Sequence, residues 1–164
     1  MSIRRTLAAI AATAALVFAG SAGAAMAANG NPHFIGNATK ASLSGTSLVV
    51  QFKEAGLPSG AVETIVASAD VSATYSCVNN GGNVPSDPKK TTIDARLSVS
   101  GEFTAGRNGT VSGSLTISPT PAAQALSCPP GQTATLFSVV YTNVTVEDLD
   151  SGAFYAIPGT FSAP

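Results

Sequence analysis

The sequence predicts an all-β fold, an immunoglobulin-like antiparallel sandwich of about seven strands with one disulfide. Three observations carry that expectation. Val, Thr, Ser and Gly dominate beyond residue 27, a composition that suits pleated strands and turns and not helices. Several stretches alternate apolar and polar residues with a period of two, the mark of a strand with one buried face. The chain holds only two cysteines, Cys77 and Cys128. A small closed barrel is the alternative for the same pattern.

The first 27 residues read as an export signal. Arg4 and Arg5 form a basic head, Leu7 to Ala19 an apolar Ala-rich run, and Ala25-Met26-Ala27 a small-residue cleavage site. Cleavage is expected after Ala27, leaving 28–164 as one secreted β domain. The apolar run is shorter than the roughly 20 residues a membrane span needs, so no span is expected after cleavage. A retained anchor helix and twin-arginine export through Arg4-Arg5 are the alternatives, with ordinary secretion favoured. The Ala-rich signal resembles those of high-GC actinobacteria.

Strand readings follow in chain order. Asn29 to Asn37 is a leader running into an edge strand anchored by Phe34 and Ile35. Thr46 to Lys53 alternates, with Leu48, Val50 and Phe52 on one face, and Glu54 to Gly60 breaks the pattern as a loop. From Thr64 to Cys77 one parity is apolar (Ile65, Ala67, Ala69, Val71, Ala73, Tyr75, Cys77) and the other mostly polar; two strands joined at a bend near Ser68 to Asp70 are the alternative to one long strand. A long Gly- and Pro-containing loop covers Asn79 to Lys90. Thr92 to Thr104 alternates again with every charge on the solvent parity. Asn108-Gly109 then predicts a tight hairpin turn into a return strand, Thr110 to Ser118.

A second long loop, Pro119 to Gln132, carries four prolines and Cys128. Thr133 to Glu147 is a strand with apolar residues on both parities: Leu136, Val140, Val144 and Val146 on one, Phe137, Val139 and Tyr141 on the other. A central strand or a parity-switching bulge accounts for this. The functional alternative is that Phe137, Val139 and Tyr141 line an exposed apolar groove for a partner or ligand. Asp148 to Gly152 is a turn, and Ala153 to Phe161 a last strand in which Pro158 predicts an edge position or a bulge.

An exported chain with an even cysteine count predicts a Cys77–Cys128 bridge. It closes a ring of about 50 residues, worth roughly 4 kcal/mol by chain entropy. A redox pair is the alternative, disfavoured by the absence of C-x-x-C spacing.

Composition and motifs exclude more functions than they suggest. Charged residues are 10% of the chain. Without Arg4 and Arg5, six basic residues face nine acidic ones, a formal net charge of −3. A weakly acidic surface without a basic cluster offers no footprint for nucleic acid. His33, the one histidine, lies in the leader with no G-x-S-x-G elbow to serve. No His or Cys grouping offers zinc ligands. Asp148 and Asp150 could join carbonyl oxygens around calcium, but an ordinary turn is the favoured reading, and no metal or cofactor is expected. Asp94 and Glu102 sit on a solvent face, unlike the acid and base of a glycosidase cleft. Sequons at Asn37, Asn108 and Asn143 would be glycan sites in a eukaryotic secretory route; Asn108 is better explained by its turn.

Ala73-Thr74-Tyr75-Ser76-Cys77-Val78-Asn79 with Gly81-Gly82, and Cys128-Pro129-Pro130-Gly131-Gln132 followed by Tyr141-Thr142-Asn143-Val144, resemble uncharacterised small secreted two-cysteine β proteins of actinobacteria and fungi. That resemblance spans nearly the whole mature chain and implies secretion and a two-cysteine β domain, without catalytic residues. A fainter likeness, over Gly45 to Val50, Gly56 to Gly60 and Asn108 to Thr116, is to the neocarzinostatin-type apoproteins, immunoglobulin-like chromophore carriers. Those have two disulfides, placed differently. The expectation from the sequence is therefore a secreted non-enzymatic binding or surface-associated module with an unknown extracellular partner. A small-ligand carrier with an inter-sheet groove is the alternative, and a hydrolase a remote one.

Overall fold

A computed structural model describes residues 30–164; the expected export signal and its cleavage point lie outside the described residues. Two antiparallel sheets pack face to face as a sandwich, and neither closes into a barrel. The first sheet contains β1 (His33–Phe34), β2 (Lys40–Ser44), β3 (Ser47–Ala55) and β6 (Thr110–Ile117), with β3 at its centre. The second contains β4 (Val62–Asn79), β5 (Lys90–Thr104), β7 (Gln132–Asp148), β8 (Phe154–Ile157) and β9 (Phe161–Ala163). Its order is β5-β4-β7-β8, with β9 also pairing β7. A single helical turn, α1 (Ala122–Ala125), interrupts the Pro-rich loop.

Alternation sets the inner faces. Leu48, Val50 and Phe52 of β3 meet Ile65, Ala67, Ala69, Val71, Ala73, Tyr75 and Cys77 of β4, all buried. The small alanines in mid-β4 let the sheets approach, and Phe52 fills space edge-on to Phe34 and Phe103. Gly113 of β6 belongs to the same arrangement: a Cβ there would collide with the rings of Phe103 and Phe52. Tyr75 and Tyr141 are fully buried, and their hydroxyls donate to Thr120 O (2.6 Å) and Thr46 O (2.7 Å). Two large polar side chains thus enter the core without orphaned groups.

The Cys77–Cys128 bridge exists, with Cα atoms 5.6 Å apart. It ties the end of β4 to the Pro-rich loop, which is also held by the Tyr75 hydroxyl, by Lys89 Nζ donating to Ser127 O (2.8 Å) and by buried Leu126. One pole of the sandwich is thereby fastened covalently.

Several expectations are corrected. The strand pair flanking Asn108-Gly109 is not a hairpin. β5 pairs β4 in one sheet and β6 pairs β3 in the other, so residues 105–109 carry the chain between sheets. The turn is real: Gly109 has φ +67, Gly106 N donates to Thr110 O (2.8 Å) and Leu57 N to Gly109 O (3.0 Å). A period of two identifies the buried face of each strand; it does not say whether successive strands lie side by side or face to face. β2 occupies residues between the leader and the Thr46 to Lys53 run, where the sequence reading names no strand, and Pro158 divides the expected last strand into β8 and β9. The long run through Ala69 is one 18-residue strand, not two.

The double-faced β7 has two register shifts against β4. Thr74 pairs Ser138 and Tyr75 pairs Leu136, so Phe137 is an extra residue; Ser68 pairs Thr145 and Asp70 pairs Thr142, so a second irregularity falls at Asn143. Each flips the parity. Leu136 therefore packs inward on one side of Phe137, Val139 and Tyr141 beyond it, and Val144 and Val146 beyond Asn143. Asn143 adopts φ +50, a left-handed conformation that asparagine tolerates better than most residues.

Candidate functional site

Phe137, Val139 and Tyr141 do not form a groove. Val139 and Tyr141 are fully buried between the sheets, whereas Phe137 is 54% exposed. The bulge at Phe137 throws its ring onto the outer face, where Lys90 Nζ sits 5.4 Å from the ring centroid. Of the three, only Phe137 is available to a partner.

The outer face of the five-stranded sheet is polar and internally bonded. Ser68 and Ser98 hydroxyls lie 2.8 Å apart and Thr74 and Thr92 hydroxyls 3.0 Å. Arg96 donates to Asp70 Oδ1 (2.8 Å) and Thr145 Oγ1 (3.0 Å), and Asn143 Nδ2 donates to Asp70 Oδ2 (2.7 Å). Those two bonds, from Asn143 first and Arg96 second, hold the Asp70 carboxyl below its usual range. Beside them Asp70, Ser72, Asp94, Arg96, Val140 and Thr142 line an open depression of about 420 Å³. The Asn143 bulge builds this face, since it turns the amide outward to Asp70.

At the pole opposite the disulfide the structure gathers four carboxylates. Cys77 and Glu63 are 14 residues apart along β4, about 45 Å. Glu54 ends the inner row of β3, Glu63 begins that of β4, and Asp148 ends that of β7; all three are buried, Glu54 and Asp148 completely. Asp150 lies in the following turn and is exposed. One carboxylate oxygen each from Glu63, Asp148 and Asp150 lie within 4.8 Å of one another.

Local bonds fix this arrangement. Thr64 N donates to Asp150 Oδ2 (2.7 Å), Asp150 N to Asp148 Oδ1 (2.9 Å) and Ser151 Oγ to Glu54 Oε1 (3.1 Å). Gly152 N to Asp148 O (2.9 Å) and Leu149 N to Thr64 O (3.0 Å) close the turn against β4. Among the described residues Asp148 Oδ2 and Glu54 Oε2 have no partner. Among the described residues the only ion pair is Arg96–Asp70, so no cation offsets these acids. Burial first, and the Asp148 charge second, push Glu54 and Glu63 up to about 7.

The sequence reading found the Asp148–Asp150 turn but not its partners. Glu54 opens the segment read as a loop, Glu54 to Gly60, yet it belongs to β3. Glu54, Glu63 and Asp148 are each simply the next member of an inward row, at alternate positions from Phe52, Ile65 and Val146, and that shared parity was the available signal. His33 Nδ1 lies 2.7 Å from Asn31 O in an exposed position, with no nucleophile among its hydrogen-bond partners. Asp94 and Glu102 are exposed on β5.

No family model matches the chain, and no curated protein matches it. A search of solved structures returns the solution structure of CsgH from R. palustris, at 11% identity, covering 80% of this chain and 89% of that one, with a TM-score of 0.23. A likeness that weak carries no argument about function. No helix among the described residues is long and apolar enough to cross a membrane.

Proposed function

We propose that the chain is an exported, non-enzymatic binding module that holds a neutral, hydroxyl-rich polymer against the outer face of its five-stranded sheet. The observation that carries this reading is the depression beside the Asp70–Arg96–Asn143 network, flanked along β7 by the exposed ring of Phe137. Around the depression Asp70 is paired with Arg96, and Asp94 shares its outward row on β5 with Lys90, while Glu102 and Glu147 lie toward the other end of the strands. Paired charges and hydroxyls supply oriented donors and acceptors for a polyol, and an exposed aromatic ring gives a sugar face something to stack on. The disulfide supports an oxidising compartment, in keeping with export.

The carrier reading has less support, because Val139 and Tyr141 fill the inter-sheet space that a ligand would need. Affinity electrophoresis through gels containing neutral glucans or mannans tests the proposal. Retardation is expected, with Phe137→Ala and Arg96→Ala each weakening it at least about tenfold, and with no reducing ends released from the polymer. Migration unaffected by every polymer, retardation unchanged in both variants, or release of reducing ends would reject it.

A further inference from the structure

We infer that Glu54, Glu63, Asp148 and Asp150 form a calcium-binding site at the pole opposite the disulfide. The inference goes beyond the outer-face reading and does not depend on it, since different strand ends and different residues carry it.

An acidic group alone would not suffice, because carboxylates crowd together on many surfaces. Here Glu54 and Asp148 have no exposed area, and each leaves one oxygen, Oε2 and Oδ2, without a hydrogen-bond donor. A buried carboxylate oxygen with no donor is costly. Two of them at one place, with no lysine or arginine among the described residues paired to them, call for a positive charge supplied from outside. The other oxygen of each is already held, Glu54 Oε1 by Ser151 and Asp148 Oδ1 by the Asp150 amide, and Asp150 Oδ2 by the Thr64 amide. Outer contacts of that kind orient the remaining oxygens of metal-binding carboxylates.

The donor set selects the ion. Only oxygen is offered, which disfavours zinc and other metals that prefer nitrogen or sulfur. The reach of 4.8 Å among the Glu63, Asp148 and Asp150 oxygens spans an ion whose ligands stand about 2.3–2.6 Å away. Magnesium keeps most of its water and takes one or two carboxylates; four carboxylates converging from three strand ends and a turn suit calcium.

The test uses the secreted chain stripped with chelator and titrated with calcium chloride, followed by calorimetry and by the thermal midpoint. Magnesium chloride and sodium chloride at matched ionic strength are the comparators. One saturable calcium site is expected, with a midpoint rise of about 5 °C or more at saturation. Magnesium should bind at least about tenfold more weakly, and sodium should give no comparable rise. Asp150→Asn, at an exposed position where the fold should survive, and Glu54→Gln, which keeps the Ser151 contact, should each weaken calcium binding at least about tenfold while circular dichroism stays that of the parent. No saturable heat and no midpoint shift would overturn the inference. So would equal effects of sodium and calcium, or calcium binding unchanged in both variants. Loss of outer-face binding to polysaccharide leaves this result untouched, so the two readings fail separately.

Discussion

Glu54 and Asp148 meet across the gap between the two sheets, each fully buried and each with one carboxylate oxygen lacking a donor. The other fully buried large side chains that carry a polar group, Tyr75 and Tyr141, have it satisfied. With Glu63 also buried beside them, this pole keeps like charges together at a cost.

That cost has a measurable pH signature in chelator. Glu54 and Glu63 move from an ordinary 4.5 to about 7, with burial as the main cause. A carboxyl whose folded pKa is raised binds its proton more tightly in the folded state. Its contribution is fully present below about 4.5 and is lost as pH rises through 7. Asp70 acts in the opposite sense, but only as pH falls into and below the ordinary aspartate range. The urea midpoint in chelator is expected to fall between pH 5 and pH 8; a midpoint that rises over this interval would contradict the account.

Removing the charge should stabilise the chelated protein. Glu54→Gln retains an acceptor for Ser151 and removes a buried negative charge facing Asp148. At pH 8 in chelator it should gain roughly 1–3 kcal/mol over the parent by denaturant unfolding. In calcium the gain should shrink or reverse.

How much of this pole could be read beforehand follows from the residues. The inner rows of β3 and β4 were legible because Leu48-Val50-Phe52 and Ile65 to Cys77 alternate without interruption, and the disulfide was legible because only one pairing exists. The carboxylates were not, because burial of a charge contradicts the rule that makes alternation informative. Glu54 opens a segment that reads as a loop, yet it is the inward-facing continuation of β3. The crossing between sheets after Thr104 escaped for a different reason: Asn108-Gly109 specifies a turn, and a turn does not say whether its strands hydrogen-bond to each other. Phe137 does not share a surface with Val139 and Tyr141, because one extra residue in β7 sends it outward and Val139 inward.

The bulge at Asn143 offers a separate check. Its φ of +50 and its bond to Asp70 are both needed there. Asn143→Val should destabilise by about 1–3 kcal/mol, through backbone strain and loss of that bond. Asn143→Gly should cost less, since glycine takes the same conformation freely. Equal losses in chemical denaturation would show that the backbone conformation is unimportant.

The opposite pole depends on its covalent link. A Cys77→Ala, Cys128→Ala double variant should lose about 4 kcal/mol by chain-entropy reasoning for a separation of 51 residues. Hydrogen exchange should quicken first in residues 119–131, where the Tyr75 and Lys89 contacts and the burial of Leu126 would remain. Unchanged stability would mean that those contacts suffice.

The most direct examination of the carboxylate pole is a crystal structure from a calcium-containing solution, with anomalous scattering to identify the ion. The account predicts one calcium within about 2.6 Å of oxygens from Glu63, Asp148 and Asp150, with Glu54 Oε2 turned toward it. A pole without the ion at millimolar calcium would contradict it.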